Sequence, residues 1–282
     1  MKTLKIISLV ILLASCSDGL TRKDSSFVFV QITDPQFGFY GDTAKPFMES
    51  KLYGKAVAYV NQLHPAFVVI TGDFVNDRNN KSQWDEFMTV TSDINPEIPL
   101  YYTPGNHDIG QAPAAGDIAE YKQKLGYDRF SFYYHDNAFI GLNSCIIKAG
   151  TEKLENEQLE WLTGELKKAS KAVNTIVLCH HPFFISSPDE AESYSNIEPV
   201  KRLEYLELFK KYGVDAIFAG HYHNSGYGEY KGIKMITTSA VGKPLADTPS
   251  GIRVVTLSDK GINSTYLSLD SSKELSLAKQ LE

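Results

Sequence analysis

The chain has 282 residues, 43% hydrophobic and 12% aromatic, with 28 Lys and Arg against 34 Asp and Glu for a formal charge of −6. That length and apolar content can bury a sizeable core, in one large domain or two small ones, and the acidic balance offers nucleic acid no basic surface. Three cysteines, Cys16, Cys145 and Cys179, are too few for a disulfide framework in a chain this size, and buried free thiols are the expected state of the last two.

The first sixteen residues differ in character from the rest. Lys2 and Lys5 precede an apolar run over 6–13, and Leu13-Ala14-Ser15-Cys16 closes it with small residues before a cysteine. The run is shorter than the roughly 20 residues a membrane-spanning helix needs. The pattern resembles a bacterial lipoprotein signal: residues 1–15 removed, Cys16 lipidated, 16–26 a polar tether, and 27–282 one domain held to a membrane of the cell envelope by the lipid. A plain secretory signal with an incidental Cys16 is the alternative. Removing 1–15 takes away two lysines and no acid, so the mature chain is more acidic still.

From residue 27 onward short β-rich runs alternate with amphipathic helical runs. In chain order the pattern predicts a strand over 27–32, a helix over 51–63, a strand over 67–70, a helix over 82–91, and strands over 100–102, 130–134 and 139–143. A helix over 156–169 and a strand over 175–179 follow, then a helix over 199–212 and strands over 216–218, 234–238, 253–257 and 264–269. The helical stripes are Tyr53, Ala56, Val57, Val60 and Leu63; Trp84, Phe87 and Met88; Leu159, Leu162 and Leu166; and Leu203 with Leu206. This alternation is that of a layered α/β fold, and the strand-rich last third suggests a second sheet packed on the first. The Glu and Lys mixture over 152–168 reads as a solvated helix face, His64 as an exposed helix-end residue, and His135 as solvated in a hairpin turn. Residues 183–198 form the longest irregular stretch, either a plain surface loop or a lip over a site.

Five of the seven histidines fall in three short motifs, Gly105-Asn106-His107-Asp108, Cys179-His180-His181-Pro182 and Gly220-His221-Tyr222-His223. Each stands where a predicted strand runs out. Thr33-Asp34-Pro35-Gln36 and Thr71-Gly72-Asp73 occupy the same position after two other strands and supply carboxylates. In α/β sheets the ends of strands far apart in sequence converge on one edge, so these five turns can meet. Anionic oxygen with neutral imidazole is the donor mixture of a divalent-metal site.

The order Asp34, Gly72-Asp73, Gly105-Asn106-His107-Asp108, His180, Gly220-His221-Tyr222-His223 resembles the calcineurin-like metallophosphoesterase superfamily over almost the whole chain. Thr33 to Gly38, Gly105 to Gly110, Asp128 to Phe132, Ser239 to Gly242 and Gly251 to Val255 are further similar to the subgroup called calcineurin-like phosphoesterase domain-containing proteins, which resemble serine/threonine phosphatases. The resemblance implies a four-layer αββα sandwich of two mixed sheets and two divalent ions, of Mn, Fe, Zn or Mg. Asp73 would bridge them; Asp34, Gln36 and His223 would complete one site, and Asn106, His180 and His221 the other, with His181 a flanking residue. Metals about 3.5–4 Å apart would clamp the phosphoryl oxygens and acidify a bridging water. His107, beside a ligand, would manage the leaving group's proton or charge, with Asp77, Asp108 or neither orienting it.

Gln36 departs from the histidine common at its position and offers a harder, weaker donor. Asn76 stands where purple acid phosphatases carry a tyrosine ligand. The implied reaction is hydrolysis of a phosphomonoester, from a phosphorylated small molecule or a phosphoprotein. The rivals are a phosphodiesterase of cyclic nucleotides or glycerophosphodiesters and a lipid-anchored phosphoester-binding protein with an impaired metal site.

Overall fold

The computed structural model describes residues 26–41 and 47–270. The expected signal peptide, Cys16 and all of the tether but Ser26 therefore lie outside the described residues. In chain order the elements are β1 (Phe27–Ile32), α1 (Met48–Leu63), β2 (Val68–Thr71), α2 (Lys81–Thr91), β3 (Leu100–Thr103), α3 (Asn106–Ile109), α4 (Ala115–Leu125), β4 (Phe130–Tyr134) and β5 (Asn137–Gly141). They continue as α5 (Ser144–Ala149), α6 (Glu152–Ala169), β6 (Thr175–Leu178), α7 (Pro199–Tyr212), β7 (Ala216–Ala219), β8 (Gly226–Tyr230), β9 (Ile233–Thr237), β10 (Gly251–Ser258) and β11 (Gly261–Ser268). No helix among the described residues is long and apolar enough to cross a membrane.

The strands form a five-stranded sheet, β11-β10-β1-β2-β3, and a six-stranded sheet, β4-β5-β6-β7-β9-β8. Both are mixed: β1, β2 and β3 run parallel with β10 antiparallel to β1, and β5, β6, β7 and β9 run parallel with β4 and β8 antiparallel at the edges. Period-2 alternation sorts each strand's side chains into two layers. In β1, Val30 and Ile32 face α1 and α2, where Tyr53, Val57, Val60, Trp84 and Phe87 are buried, while Phe27 and Phe29 face the other sheet. In β6, Val177 packs with Leu162 and Leu166 of α6 and Phe209 of α7, while Ile176 and Leu178 point between the sheets. Phe29 stacks on Phe67 at 5.0 Å and Phe67 meets Phe139 edge-on at 4.9 Å in that middle layer. Three apolar layers among four layers of elements are the αββα sandwich.

Several elements depart from the pattern reading. The last third is shared between sheets: β8 and β9 extend the six-stranded one, while β10 pairs with β1, Phe27 opposite Leu257, and brings β11 to the edge of the five-stranded one. In α7 the buried stripe is Arg202, Tyr205, Leu206 and Phe209, and Leu203 is 52% exposed. Glu155 of α6 is buried rather than solvated, because Lys201 Nζ and the Tyr205 hydroxyl both reach its carboxylate. The helices α3, α4 and α5 and the strand β8 were not anticipated. His64 caps α1 in the left-handed region and His135 lies in the β4–β5 turn, both exposed, and Cys145 and Cys179 are buried and free.

Candidate metal centre

The parallel strands of both sheets end at one edge, and the turns that follow are bonded to one another through main chain. Asp34 N–H donates to Gly72 O (3.2 Å), Gln36 N–H to Asp73 O (2.8 Å), Gly220 N–H to His180 O (2.9 Å) and Val241 N–H to Thr33 O (2.9 Å). Eight non-glycine residues among those described have positive φ, and five are Asp34 (52°), Gln36 (39°), Asp73 (51°), His221 (66°) and His223 (51°). Each left-handed residue costs on the order of 1 kcal/mol or more, and such strain gathers where a site demands it. Gly105 permits the approach: a Cβ there would lie 2.1 Å from Asp73 Oδ1.

The side chains converge. His180 Nε2 is 3.2 Å from Asp73 Oδ2, 3.1 Å from Asn106 Oδ1 and 3.1 Å from His221 Nδ1, so four donor atoms from four turns surround one point. Beside it, His223 Nε2 is 3.4 Å from Asp34 Oδ1, and Asp34, Asp73 and His180 form one cluster of closely spaced donors. All seven expected ligands, Gln36 included, are buried. Main-chain carbonyls hold the outer nitrogen of each imidazole: His180 Nδ1 meets Thr71 O (2.9 Å), His221 Nε2 meets Tyr194 O (3.2 Å) and His223 Nδ1 meets Lys243 O (2.6 Å). That fixes the tautomer, leaving the inner nitrogen a lone pair for a cation.

Two buried oxygens, Asp34 Oδ1 and Gln36 Oε1, have no hydrogen-bond partner, although the other Asp34 oxygen accepts from Thr33 Oγ1 (2.6 Å) and His221 N (3.0 Å). Buried acceptors left unsatisfied are costly, and a cation between them removes the cost. Two carboxylates, two amide oxygens and three imidazoles suit Mn, Fe, Zn or Mg. The residues therefore fit the group. The charges are interdependent. Burial pushes the Asp73 and Asp34 carboxyls up, but the histidines beside them, His180 and His223 foremost, hold both below the usual range. Burial pulls His180 down, yet Asp73 raises it to about 9, while burial and His180 lower His221 to about 4. A proton on His180 is what a cation would displace.

His107 stands at the rim. Its main-chain N–H donates to Asp73 Oδ1 (2.8 Å) and its ring Nδ1 donates to the Asn76 carbonyl (2.7 Å). Neither expected orienting carboxylate touches the ring. Asp108 is spent bracing turns, accepting from Gly105 N (2.8 Å) and Phe74 N (2.8 Å), and Asp77 is exposed and accepts from Asn79 N (2.9 Å). His181, read as a flanking residue, is buried and closer than that implies: its ring centroid is 4.2 Å from that of His221 and it belongs to one donor cluster with His180 and His221. Tyr194, in the irregular stretch read as either a surface loop or a lip, makes a contact that the motifs did not foretell. Its hydroxyl receives hydrogen bonds from Asn106 Nδ2 (3.2 Å) and Gln111 Nε2 (3.0 Å).

Fold, converging turns and donor set define a metal-dependent phosphoesterase, and the profile of the calcineurin-like phosphoesterase family matches residues 27–225: the chain belongs to that family. It is 34% identical over 276 residues to the serine/threonine-protein phosphatase CPPED1 of Rattus norvegicus, covering 90% of this chain and 88% of that protein. Two solved structures share the fold. Purple acid phosphatase PPD1 from yellow lupin (Lupinus luteus) superposes with a TM-score of 0.66 at 18% identity, over 88% of this chain and 52% of the other. A dimetal phosphatase from Danio rerio does so with a TM-score of 0.62 at 16% identity, over 86% of this chain and 99% of the other.

Proposed function

We propose that the chain is a two-metal phosphatase of phosphomonoesters. The observation that carries this reading is the convergence of donor atoms of Asp73, Asn106 and His221, each within 3.2 Å of His180 Nε2, with the unpartnered oxygens of Asp34 and Gln36 alongside. Asp34, Gln36, Asp73 and His223 would hold one cation and Asp73, Asn106, His180 and His221 the other; when bound, the pair supplies Lewis acidity toward the phosphoryl oxygens and toward water. The protein's own part is positioning and proton transfer. With its Nδ1–H given to the Asn76 carbonyl, His107 keeps Nε2 for the substrate, and in its protonated form donates to the departing alkoxide oxygen. The Asp73 carboxylate, held by the His107 N–H, keeps that ring in register with the ligands. The name of the relative from Rattus norvegicus makes phosphoserine and phosphothreonine the first substrates to try.

The test compares p-nitrophenyl phosphate with bis-p-nitrophenyl phosphate, with and without added Mn²⁺. Metal-dependent turnover that favours the monoester is the expected result. A preference for the diester would replace this reading with a phosphodiesterase, and bound metal without turnover would replace it with a binding protein.

We further infer that the chain is a lipid-anchored protein of the cell envelope, on the strength of the basic, apolar and small-residue pattern ending at Cys16. Cys16→Ser should move it out of the membrane fraction; unchanged fractionation would favour a plain secretory signal.

A further inference from the structure

Residues 182–198 connect β6 to α7 without helix or strand, yet the segment is clamped from beneath. The buried Arg202 guanidinium donates to the carbonyls of Pro188 (2.8 Å), Glu190 (2.6 Å) and Ile197 (2.8 Å). The Glu190 carboxylate gathers the N–H groups of Ile185 (2.7 Å), Ser186 (3.0 Å) and Ser187 (3.2 Å) together with the Asn196 amide (2.7 Å). Lys148 Nζ reaches the carbonyls of Ser193 and Asn196, both at 2.7 Å. A loop held by this many bonds to carbonyls and N–H groups is a fixed wall and not a flap.

Tyr194 is set by that wall against the candidate metal centre. Its carbonyl accepts from His221 Nε2 (3.2 Å), its ring lies 4.8 Å from the His221 ring, and its hydroxyl accepts from Asn106 Nδ2 and Gln111 Nε2. The side chain is nonetheless 59% exposed. A phenol oxygen that accepts twice has its lone pairs engaged, so its own proton must point elsewhere, and no acceptor for it occurs among the described residues. An aromatic residue fixed over two candidate ligands, exposed on one face, with one unused donor, matches an acceptor that arrives with the substrate.

We propose that the Tyr194 hydroxyl donates a hydrogen bond to a non-bridging phosphoryl oxygen of substrate and of released phosphate, which makes it a substrate-contacting residue at the rim of the metal centre. The inference rests on the phosphatase reading above and can fail separately from it. No bond is made or broken at the phenol. Its contribution is a directed donor to an anion, a class of hydrogen bond stronger than a neutral one.

The experiment compares the metal-loaded full chain with Tyr194→Phe, which keeps the ring and the main-chain carbonyl and removes only the hydroxyl. Binding of inorganic phosphate by calorimetry, KM and kcat for p-nitrophenyl phosphate, and metal content by elemental analysis are measured together. Phosphate should bind the variant about tenfold more weakly and kcat/KM should fall by a similar factor, with metal content unchanged. Unchanged phosphate affinity would overturn the proposal. So would loss of a metal equivalent, since Tyr194 would then act only by orienting Asn106. A wild type that binds phosphate without turnover would overturn the phosphatase reading while the phosphate comparison still decides Tyr194; one that binds no phosphate at all would overturn both.

Discussion

Asp73 shares one donor cluster with Asp34 and His180, its Oδ1 accepting the His107 N–H and its Oδ2 3.2 Å from His180 Nε2. His107 is one residue from the candidate ligand Asn106, but its ring Nδ1 is engaged by the Asn76 carbonyl. His107→Ala is accordingly expected to lower kcat by about 10²–10⁴-fold, the range for a general acid or base, with metal content unchanged in elemental analysis. A lost metal equivalent would make it a ligand. Gln36 gives a second test, because its Oε1 is buried and unpartnered. Gln36→His should let the weaker metal site fill at lower concentration, and Gln36→Ala should weaken that site alone; identical metal titrations for the three proteins would place Gln36 outside the coordination shell. Asp34, Asp73, Asn106, His180, His221 and His223 were readable as candidates because each follows an apolar strand in a turn of metal-binding residue types. Gln36 was readable only through resemblance to a family. The orienting partner of His107 was not readable at all, because it is the Asn76 carbonyl, and a main-chain group leaves no mark in the choice of residue. The partner of Tyr194 was hidden for a related reason: Tyr194 reaches Asn106 across 88 positions of chain from within an irregular loop.

Helices with a clear stripe were placed by their spacing, and the one misjudged stripe is instructive. In α7 the buried set 202, 205, 206, 209 follows helical periodicity but begins with an arginine, which a search for apolar residues passes over in favour of Leu203. Arg202 is buried because it clamps the loop before its own helix. Leu206→Ala should then cost about 2–5 kcal/mol in urea unfolding as a buried leucine truncation. Leu203→Ser should change stability by about 0.5 kcal/mol or less. Equal costs would refute this orientation of α7. The elements missed altogether are weak in local signal. The helix α4 buries only Ile118 and Tyr121 and is closed at its start by Asp117, whose carboxylate accepts from Ala114 N at 2.8 Å, and β8 carries glycine at two of its five positions.

Across the whole molecule, layering was legible and strand partnership was not. The continuous apolar runs of central strands such as β2, β6 and β7 announce two buried faces, hence sheets covered on both sides, but which strand lies beside which is settled by contacts far apart in sequence. The antiparallel pairing of β10 with β1 is such a contact, and it is why the last third divides between the sheets. That division matters for the site: β9, placed in the six-stranded sheet, leads into the segment whose Lys243 carbonyl holds His223. The proposed mechanism requires two cations together among these converging turns for a phosphomonoester to be cleaved. The most direct test is to titrate Mn²⁺ into metal-depleted protein while recording bound metal and p-nitrophenyl phosphate turnover in the same samples. Turnover should stay low through the first bound equivalent and reach its plateau at the second; full turnover at one bound equivalent, or two bound equivalents with none, would contradict the two-metal mechanism.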